Sequence, residues 1–392
     1  MLESFAQALM KIVYISSAAL PSRAAFSVNI VKMCDAFARN GHRVTLLMPR
    51  GEKSERIEQP LHAFYDVDRT FAVRRLPRPR IRGRRFIYAA AAAFVARRMR
   101  ANLVFGRSRD ACYACTLAGL PAVYDAHTVP ENISRTTKFI LYRLLGSRRL
   151  ARLVTTTEAL KKEYVRRFDV DVSKITVAPN GAADPTTASE EGSGGKSTEA
   201  VDLKARDGRL QVGYVGHLYP GKGMEIIAPL ARACPWADFH VVGGTEDDIE
   251  RWKHRLNGAA HVTFHGFVPQ RRAAQFRRAF DVLLAPYQRS VSTSGDDDPA
   301  AWMSPLKLFE YMAAGRPMIC SDLPVLREVL TPGENAWLCP PDQPEKWKET
   351  LAHLRDHPGE RMQLGRRARR CFEQHHTWTA RAHKVLDGVT VD

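Results

Sequence analysis

Residues 302–317 read WMSPLKLFEYMAAGRP. Ser304 suits a helix N-cap and Pro305 the first helical position, where the donor that proline lacks would go unpaired anyway. Leu308, Phe309, Met312 and Ala313 recur at helical spacing, Gly315 fits a C-terminal cap, and Pro317 prevents continuation. A helix of about three turns is therefore expected. Lys307 and Glu310 stand three residues apart just inside its N-terminus, where free N–H groups and the positive end of the dipole favour an anion. Lysine supplies a point charge for a phosphate, and a carboxylate accepts two hydrogen bonds from vicinal ribose hydroxyls. The pair fits a nucleotide; read alone, it also fits an amphipathic helix with a surface Lys and Glu.

Working outward, the chain alternates short apolar strands with helical segments. Leu210–Val215 is a strand followed at once by GHLYPGKG and a helix over Met224–Ala233. The glycines at 216, 221 and 223 let the backbone approach a ligand, and Lys222 sits where a diphosphate meets the helix start. Strands are expected at 239–242, 262–264, 281–285, 318–321 and 337–339, a helix over LPVLREVL (323–330), and terminal helices at 345–355 and 360–374. Upstream, KIVYIS (11–16) reads as a buried strand, 26–39 as a helix ended by Gly41, and 44–48 as the next strand. Strands at 103–106, 122–124 and 153–157 follow, with helices at 111–117 and 158–168, and ITVAPNGAAD (175–184) holds a last strand that turns at Asn180 and Gly181. This order specifies doubly wound parallel sheets, in which ligands bind beyond the strands' carboxyl ends. The Ser/Gly/Glu-rich 182–208 reads as a linker, which gives domains over 1–181 and 209–374, with 375–392 left over.

LFEYMAAG together with GHLYPGKG, HGFVP (265–269) and YDAH (124–127) resembles the retaining family-4 glycosyltransferases of the group 1 type, over nearly the whole chain and most closely from 212 to 339. The resemblance implies the α/β GT-B fold, two Rossmann-like domains facing a cleft, with the segment 375–392 crossing back to brace the first. It implies donor contacts at Gly216, His217, Lys222, His265, Gly266, Phe267, Val268 and the run Ser304, Pro305, Leu306, Lys307, Leu308 and Glu310. Within that set, Lys222 grips the diphosphate, Glu310 holds the ribose, and the backbone of HGFVP frames the base. His127 matches a histidine beside the scissile bond, so the catalytic set is His127, Glu310 and Lys222. Ser17, Arg107, Arg109, Asp125 and Glu131 are acceptor-side candidates. Two departures stand out: Trp302 occupies the place of the family's first glutamate, and His217 that of an arginine. Asp296, Asp297 and Asp298 lie just upstream and fit either a reach into the site or a solvated acidic loop.

Composition narrows the function classes. At 392 residues with 45% hydrophobic content the chain holds two or three domains with their own cores, and no apolar run reaches the roughly 20 residues of a membrane span. No signal-peptide pattern opens it. Seven scattered cysteines fit free thiols in a reducing cytoplasm, and Cys112 and Cys115 in helical surroundings fit packing better than a metal or redox pair. No His/carboxylate ligand cluster stands out near the loops of Lys222 and Lys307, so no metal and no cofactor is expected. The net charge of +17 is one-sided: residues 1–180 hold 32 Lys+Arg against 14 Asp+Glu. Arg74 to Arg109 contains twelve arginines, no acid, and FIYAAAAAFV (86–95) at its middle. That segment fits an anionic membrane surface, a solvated basic face, or a polyanion; no nucleic-acid motif accompanies it. The expected partners are a nucleotide-sugar donor and a glycan or lipid-linked acceptor. Two other functions stay open on these residues: a nucleotide-sugar epimerase of the same architecture, and a non-catalytic sugar-nucleotide or polyanion-binding protein.

Overall fold

The computed structural model describes residues 9–50, 59–68, 70–129, 134–185, 201, 203, 208–292 and 298–390. The chain forms two compact units, Met1–Ala178 with Trp378–Asp392, and Pro179–Thr377. In the first, strands β1 (Lys11–Ile15), β2 (Arg43–Pro49), β3 (Ala72–Leu76), β4 (Leu103–Gly106), β5 (Ala122–Ala126), β6 (Leu150–Thr155) and β7 (Ile175–Val177) make one sheet in the order β3-β2-β1-β4-β5-β6-β7. Every neighbouring pair is parallel. Its helices are α1 (Ala25–Arg39), α2 (Leu61–Phe64), α3 (Arg84–Arg98), α4 (Arg109–Leu117), α5 (Arg135–Leu145) and α6 (Glu158–Phe168), joined at the chain's other end by α13 (Trp378–Leu386). Parallel strands covered on both faces are near-continuously apolar, and β4 and β5 are buried at every position, with Asp125 the polar residue in β5.

The second unit has β8 (Leu210–Val215), β9 (Ala237–Val242), β10 (Val262–Gly266), β11 (Val282–Ala285), β12 (Met318–Ser321) and β13 (Trp337–Cys339), in the parallel order β10-β9-β8-β11-β12-β13. Helices α7 (Met224–Ala233), α8 (Glu246–Leu256), α9 (Gln270–Ala279), α10 (Leu306–Ala314), α11 (Pro344–Asp356) and α12 (Pro358–His375) complete it. Its core joins Tyr214, Ile227, Phe239, Val282 and Trp347. In each sheet the winding reverses beside the strand that opens the unit, between β1 and β4 and between β8 and β11. The strand order thus opens a crevice at the carboxyl ends of those pairs.

Three local readings need correction. Pro305, extended at φ −71° and ψ 130°, is itself the N-cap of α10, and the helix starts at Leu306 without a side-chain cap. Ser304 is turned away to hold the chain: its Oγ accepts from the Asn180 backbone N–H at 3.0 Å, and its carbonyl accepts from Asn180 Nδ2 at 2.6 Å. Residues 323–330 form only a 3₁₀ turn at Leu326–Glu328, because the bond from Leu326 N–H to Leu323 O starts a tighter winding that Thr331-Pro332-Gly333 ends. The arginine-rich run contains an edge strand, β3, and the helix α3, neither of which shows in its hydrophobic pattern.

Candidate active site

In the second unit the loop after β8 and the first turn of α10 meet around two amines. Lys307 is 8% exposed, and its Nζ has no hydrogen-bond partner among the described residues. That Nζ lies 3.6 Å above the ring of Tyr214 and 5.1 Å from the ring of Tyr287, while Lys222 Nζ lies 5.7 Å over the same Tyr287 ring. Aromatic faces attract a cation but supply no counter-ion. Burial, then repulsion from Lys222, pushes the Lys307 amine well below the ordinary lysine range. Burial brings Lys222 down to about 8 against a partial pull upward from Asp298. Asp298 accepts from the N–H groups of Val291 and Ala300, both at 3.0 Å, and so orders its own loop while facing Lys222. Asp296 and Asp297 lie outside the described residues.

The glycines make this geometry. A Cβ on Gly216 would meet Lys307 Cε at 3.1 Å and Nζ at 3.2 Å, so any side chain there would crowd the amine. Gly221 at φ +77° approaches Ser290 O, where a Cβ would lie 2.1 Å away. The N–H groups of Gly221 and Gly223 donate to the carboxylate of Glu225 at 3.0 and 3.3 Å. The start of α7 is thus closed by the protein's own acid, and the open helix start beside the amines is that of α10. His217 stacks on Tyr219 at 5.0 Å, and its carbonyl accepts from Tyr214 Oη at 2.6 Å.

Glu310, one turn into α10, is ion-paired at 3.3 Å with Nη1 of the buried Arg277 on α9. Pro305, Leu306 and Leu308 are the frame of that turn, with Leu308 fully buried. His265, Gly266, Phe267 and Val268 lie at the end of β10, where a register shift between Phe264 and Gly266 re-aims the strand. The side chain of His265 belongs to a one-way hydrogen-bond chain across three strands. Gln211 Nε2 donates to Arg209 O and Asp238 Oδ2, both pure acceptors, so its Oε1 must accept from His240 Nε2 at 2.8 Å. His240 Nδ1 then accepts from His265 Nε2 at 3.0 Å, which leaves His265 Nδ1 as an acceptor. Burial and mutual repulsion bring His240 down to about 4, so the chain stays neutral near pH 7.

In the first unit, Ser17, Arg107 and His127 follow the carboxyl ends of β1, β4 and β5, three neighbouring strands. His127 Nε2 lies 3.2 Å from Asp125 Oδ2, and Asp125 Oδ1 accepts from Arg381 Nη2 at 2.8 Å. Asp125 and Arg381 are 1% and 2% exposed. Burial pushes the Asp125 carboxyl up, but Arg381 and His127 outweigh it and hold it below the usual carboxylate range. Burial and the Arg107 guanidinium push His127 down to about 4 against the pull of Asp125. Ser17 is exposed and its carbonyl accepts from Arg78 at 3.1 Å. Arg109 opens α4, and Glu131 lies outside the described residues. Cys112 and Cys115 are buried free thiols, and among the described residues no group of three His, Cys, Asp or Glu side chains is placed to hold a metal ion.

Two parallel-sheet units of the Rossmann type, each with candidate site residues beyond its strand ends, make the GT-B class of glycosyltransferase fold. A crystallised glycosyltransferase from Rickettsia africae superposes on 97% of this chain and 100% of its own with a TM-score of 0.71 at 12% identity. Anabaena Alr3699/HepE, crystallised in complex with UDP, matches 96% of this chain and 99% of its own with a TM-score of 0.70 at 16% identity. At such identities the likeness concerns the fold. The family model described as Glycosyltransferase Family 4 matches residues 27–183, and the one described as Glycosyl transferase-like matches residues 224–387. The chain belongs to the group 1/family 4 glycosyltransferases. A phosphatidyl-myo-inositol mannosyltransferase of Mycobacterium tuberculosis is 33% identical over 161 residues, 40% of this chain and 39% of that one. A D-inositol 3-phosphate glycosyltransferase of Kineococcus radiotolerans is 24% identical over 272 residues, 62% of this chain and 59% of that one. The chain thus spans about two fifths to three fifths of the length of these relatives.

Tyr214, Tyr287, Arg277 and Arg381 escaped the reading of the sequence. The two tyrosines sit at the end of apolar strands and look like core, and Arg277 is one of four arginines in QRRAAQFRRA. No local signal marks Arg381, whose partner is 256 residues away.

Proposed function

We propose that this chain is a retaining glycosyltransferase that moves a sugar from a nucleotide-sugar to an acceptor hydroxyl, with a lipid-linked or surface-polysaccharide glycan as acceptor. The observation that carries it is the buried amine of Lys307 beside Lys222, without a hydrogen-bond partner among the described residues, a pair of lysines that an anion completes. As the glycosidic bond breaks, charge gathers on the departing diphosphate, and preorganised cations and the open start of α10 stabilise that charge. The close approach allowed by Gly216 and Gly221 gives the diphosphate its seat. Glu310, held by Arg277, accepts from the ribose hydroxyls, and His127 orients the sugar. The lysines do the work of a metal ion, so no divalent cation is required. The mannosyl transfer in the name of the mycobacterial relative and the UDP held by the Anabaena protein support a nucleotide-linked hexose.

The acceptor side suits a membrane. Phe86, Ile87 and Phe94 on α3, Leu117 on α4, and Phe139 and Tyr142 on α5 are all exposed. These helices pack side by side, α3 on α4 and α4 on α5. Arg84, Arg97 and Arg98 on α3 and Arg135, Lys138 and Arg143 on α5 are exposed on the same elements. Aromatic side chains ringed by cations fit the interface of an anionic bilayer, at about 1 kcal/mol for each basic residue near the surface. Among the described residues no helix is long and apolar enough to cross a membrane, so the proposed association is peripheral, at a cytoplasmic leaflet.

The test is a thermal-shift panel of UDP-, GDP-, ADP- and dTDP-sugars and free diphosphates, without added metal, on wild type and Glu310→Ala. Ligand at ~100 times its Kd adds about 2.7 kcal/mol of stability. A shift with one nucleotide that vanishes in Glu310→Ala supports the donor site, and NMR of the product anomer then decides retention. Silence across the panel sinks the transferase reading in favour of a binding protein without donor specificity, and turnover of the donor without acceptor favours an epimerase.

A further inference from the structure

The buried polar group at the end of β5 holds more than one histidine needs. Asp125 is shared between His127 Nε2 at 3.2 Å and Arg381 Nη2 at 2.8 Å, and Arg381 Nε also donates to Ala178 O at 3.3 Å. A carboxylate accepts only, so the His127 nitrogen facing it carries a proton. Whether the ring is charged depends on its surroundings. Facing this group are Arg107 after β4, Arg381 on α13, Asp125 on β5 and the phenol of Tyr14 on β1; Cys34 on α1 faces Tyr14, and Cys112 on α4 faces Asp125. Two guanidiniums stand against one carboxylate, and the phenol and thiols stay neutral because burial raises them. A third cation on the imidazole would be unbalanced. The ring is therefore neutral, with Nε2 protonated and the lone pair on Nδ1.

We propose that Arg381, delivered by the C-terminal helix α13, is a positioning residue that acts through Asp125 to fix His127 as a neutral hydrogen-bond acceptor toward a hydroxyl of the transferred sugar. Without the guanidinium, Asp125 is an unshared anion and draws a second proton onto the ring. The doubly protonated imidazole has lost its acceptor. The kinetic side of this role rests on the transferase reading; the state of the ring does not.

The experiment uses the full chain with histidine labelled with ¹⁵N and ¹³C at ε1, the His127 resonance being assigned by its loss in His127→Gln. In the wild type, the nitrogen shifts are expected to show a neutral Nε2–H ring at pH 7 that does not titrate down to about pH 5. In Arg381→Met, the midpoint is expected to move up by about 1–3 pH units, and in Arg381→Lys to return most of the way. The acid limb of the pH–rate profile for transfer should move with it, in kcat with little change in donor KM. An Nδ1–H or charged ring in the wild type at pH 7 overturns the proposal even if neither variant folds. So does an unchanged midpoint in a folded Arg381→Met protein. If the ring behaves as described but no nucleotide-sugar shifts the melting temperature, the transferase reading fails alone.

Discussion

At Lys307 the chain buries an amine on a short helix and gives it two aromatic faces in place of a counter-ion. A methionine of similar length fills that space without the charge. Lys307→Met is expected to leave the melting temperature unchanged or raise it, while nucleoside-diphosphate affinity falls about 10–100-fold, since a hydrogen bond to a charged group contributes about 1.5–3 kcal/mol. Calorimetric melting and titration on the same preparation check both. The depressed lysines also give binding a pH dependence of known sign. Lys222 titrates near 8 without ligand, and a bound diphosphate raises it, so binding takes up protons above that pH. Through the Lys222 proton, affinity is expected to weaken by up to about tenfold per pH unit above 8 and to lose that dependence below about pH 7. Calorimetry in buffers of different ionisation enthalpy counts those protons. Much of this site is legible in the sequence because Lys222, Lys307 and Glu310 occupy motif positions. Its aromatic floor and the Arg277 partner are not, because a tyrosine at a strand end reads as core until the fold brings a lysine over it.

At the scale of elements, the loops after β8, β9 and β10 are built against one another by glycine. Gly243 N–H donates to Gly266 O at 2.7 Å, and a Cβ on Gly243, at φ +117°, would lie 2.2 Å from Gly216 O. Gly243→Ala is therefore expected to cost about 1–3 kcal/mol of stability in the second unit and to shift the Gly216 turn away from Lys307. Thermal melting reads the first effect, and a weakened diphosphate titration reads the second. Buried parallel strands and motif helices announce themselves by composition, and β4, β8, β12 and β13 lie where their apolar runs predict. Of the elements that escaped, which include α5, α8 and α9, two are of another kind. Strand β3 is an edge strand with two arginines, and α3 buries mainly alanines while its larger apolar side chains face outward. Amphipathic periodicity finds neither, since the side chains that would signal it do not face the core.

Across the whole molecule the basic excess and most of the exposed aromatic residues fall together in the first unit. The protein is expected to sediment with phosphatidylglycerol vesicles at low salt, to release as ionic strength passes about 0.15 M, and to ignore phosphatidylcholine. Phe94→Glu with Phe139→Glu should abolish the co-sedimentation and leave nucleotide binding intact; equal retention by both kinds of vesicle would sink the membrane reading. The charge asymmetry was plain in the sequence, but the spread of the surface over α3, α4 and α5 was not, because α5 lies outside the arginine-rich run. The crossing of α13 back to the first unit has a consequence during synthesis. Asp125 precedes its guanidinium partner by 256 positions. On the ribosome, the nascent first sheet therefore holds Asp125 without Arg381 until the whole second unit has been translated. A chain released before residue 381 would lack that partner permanently.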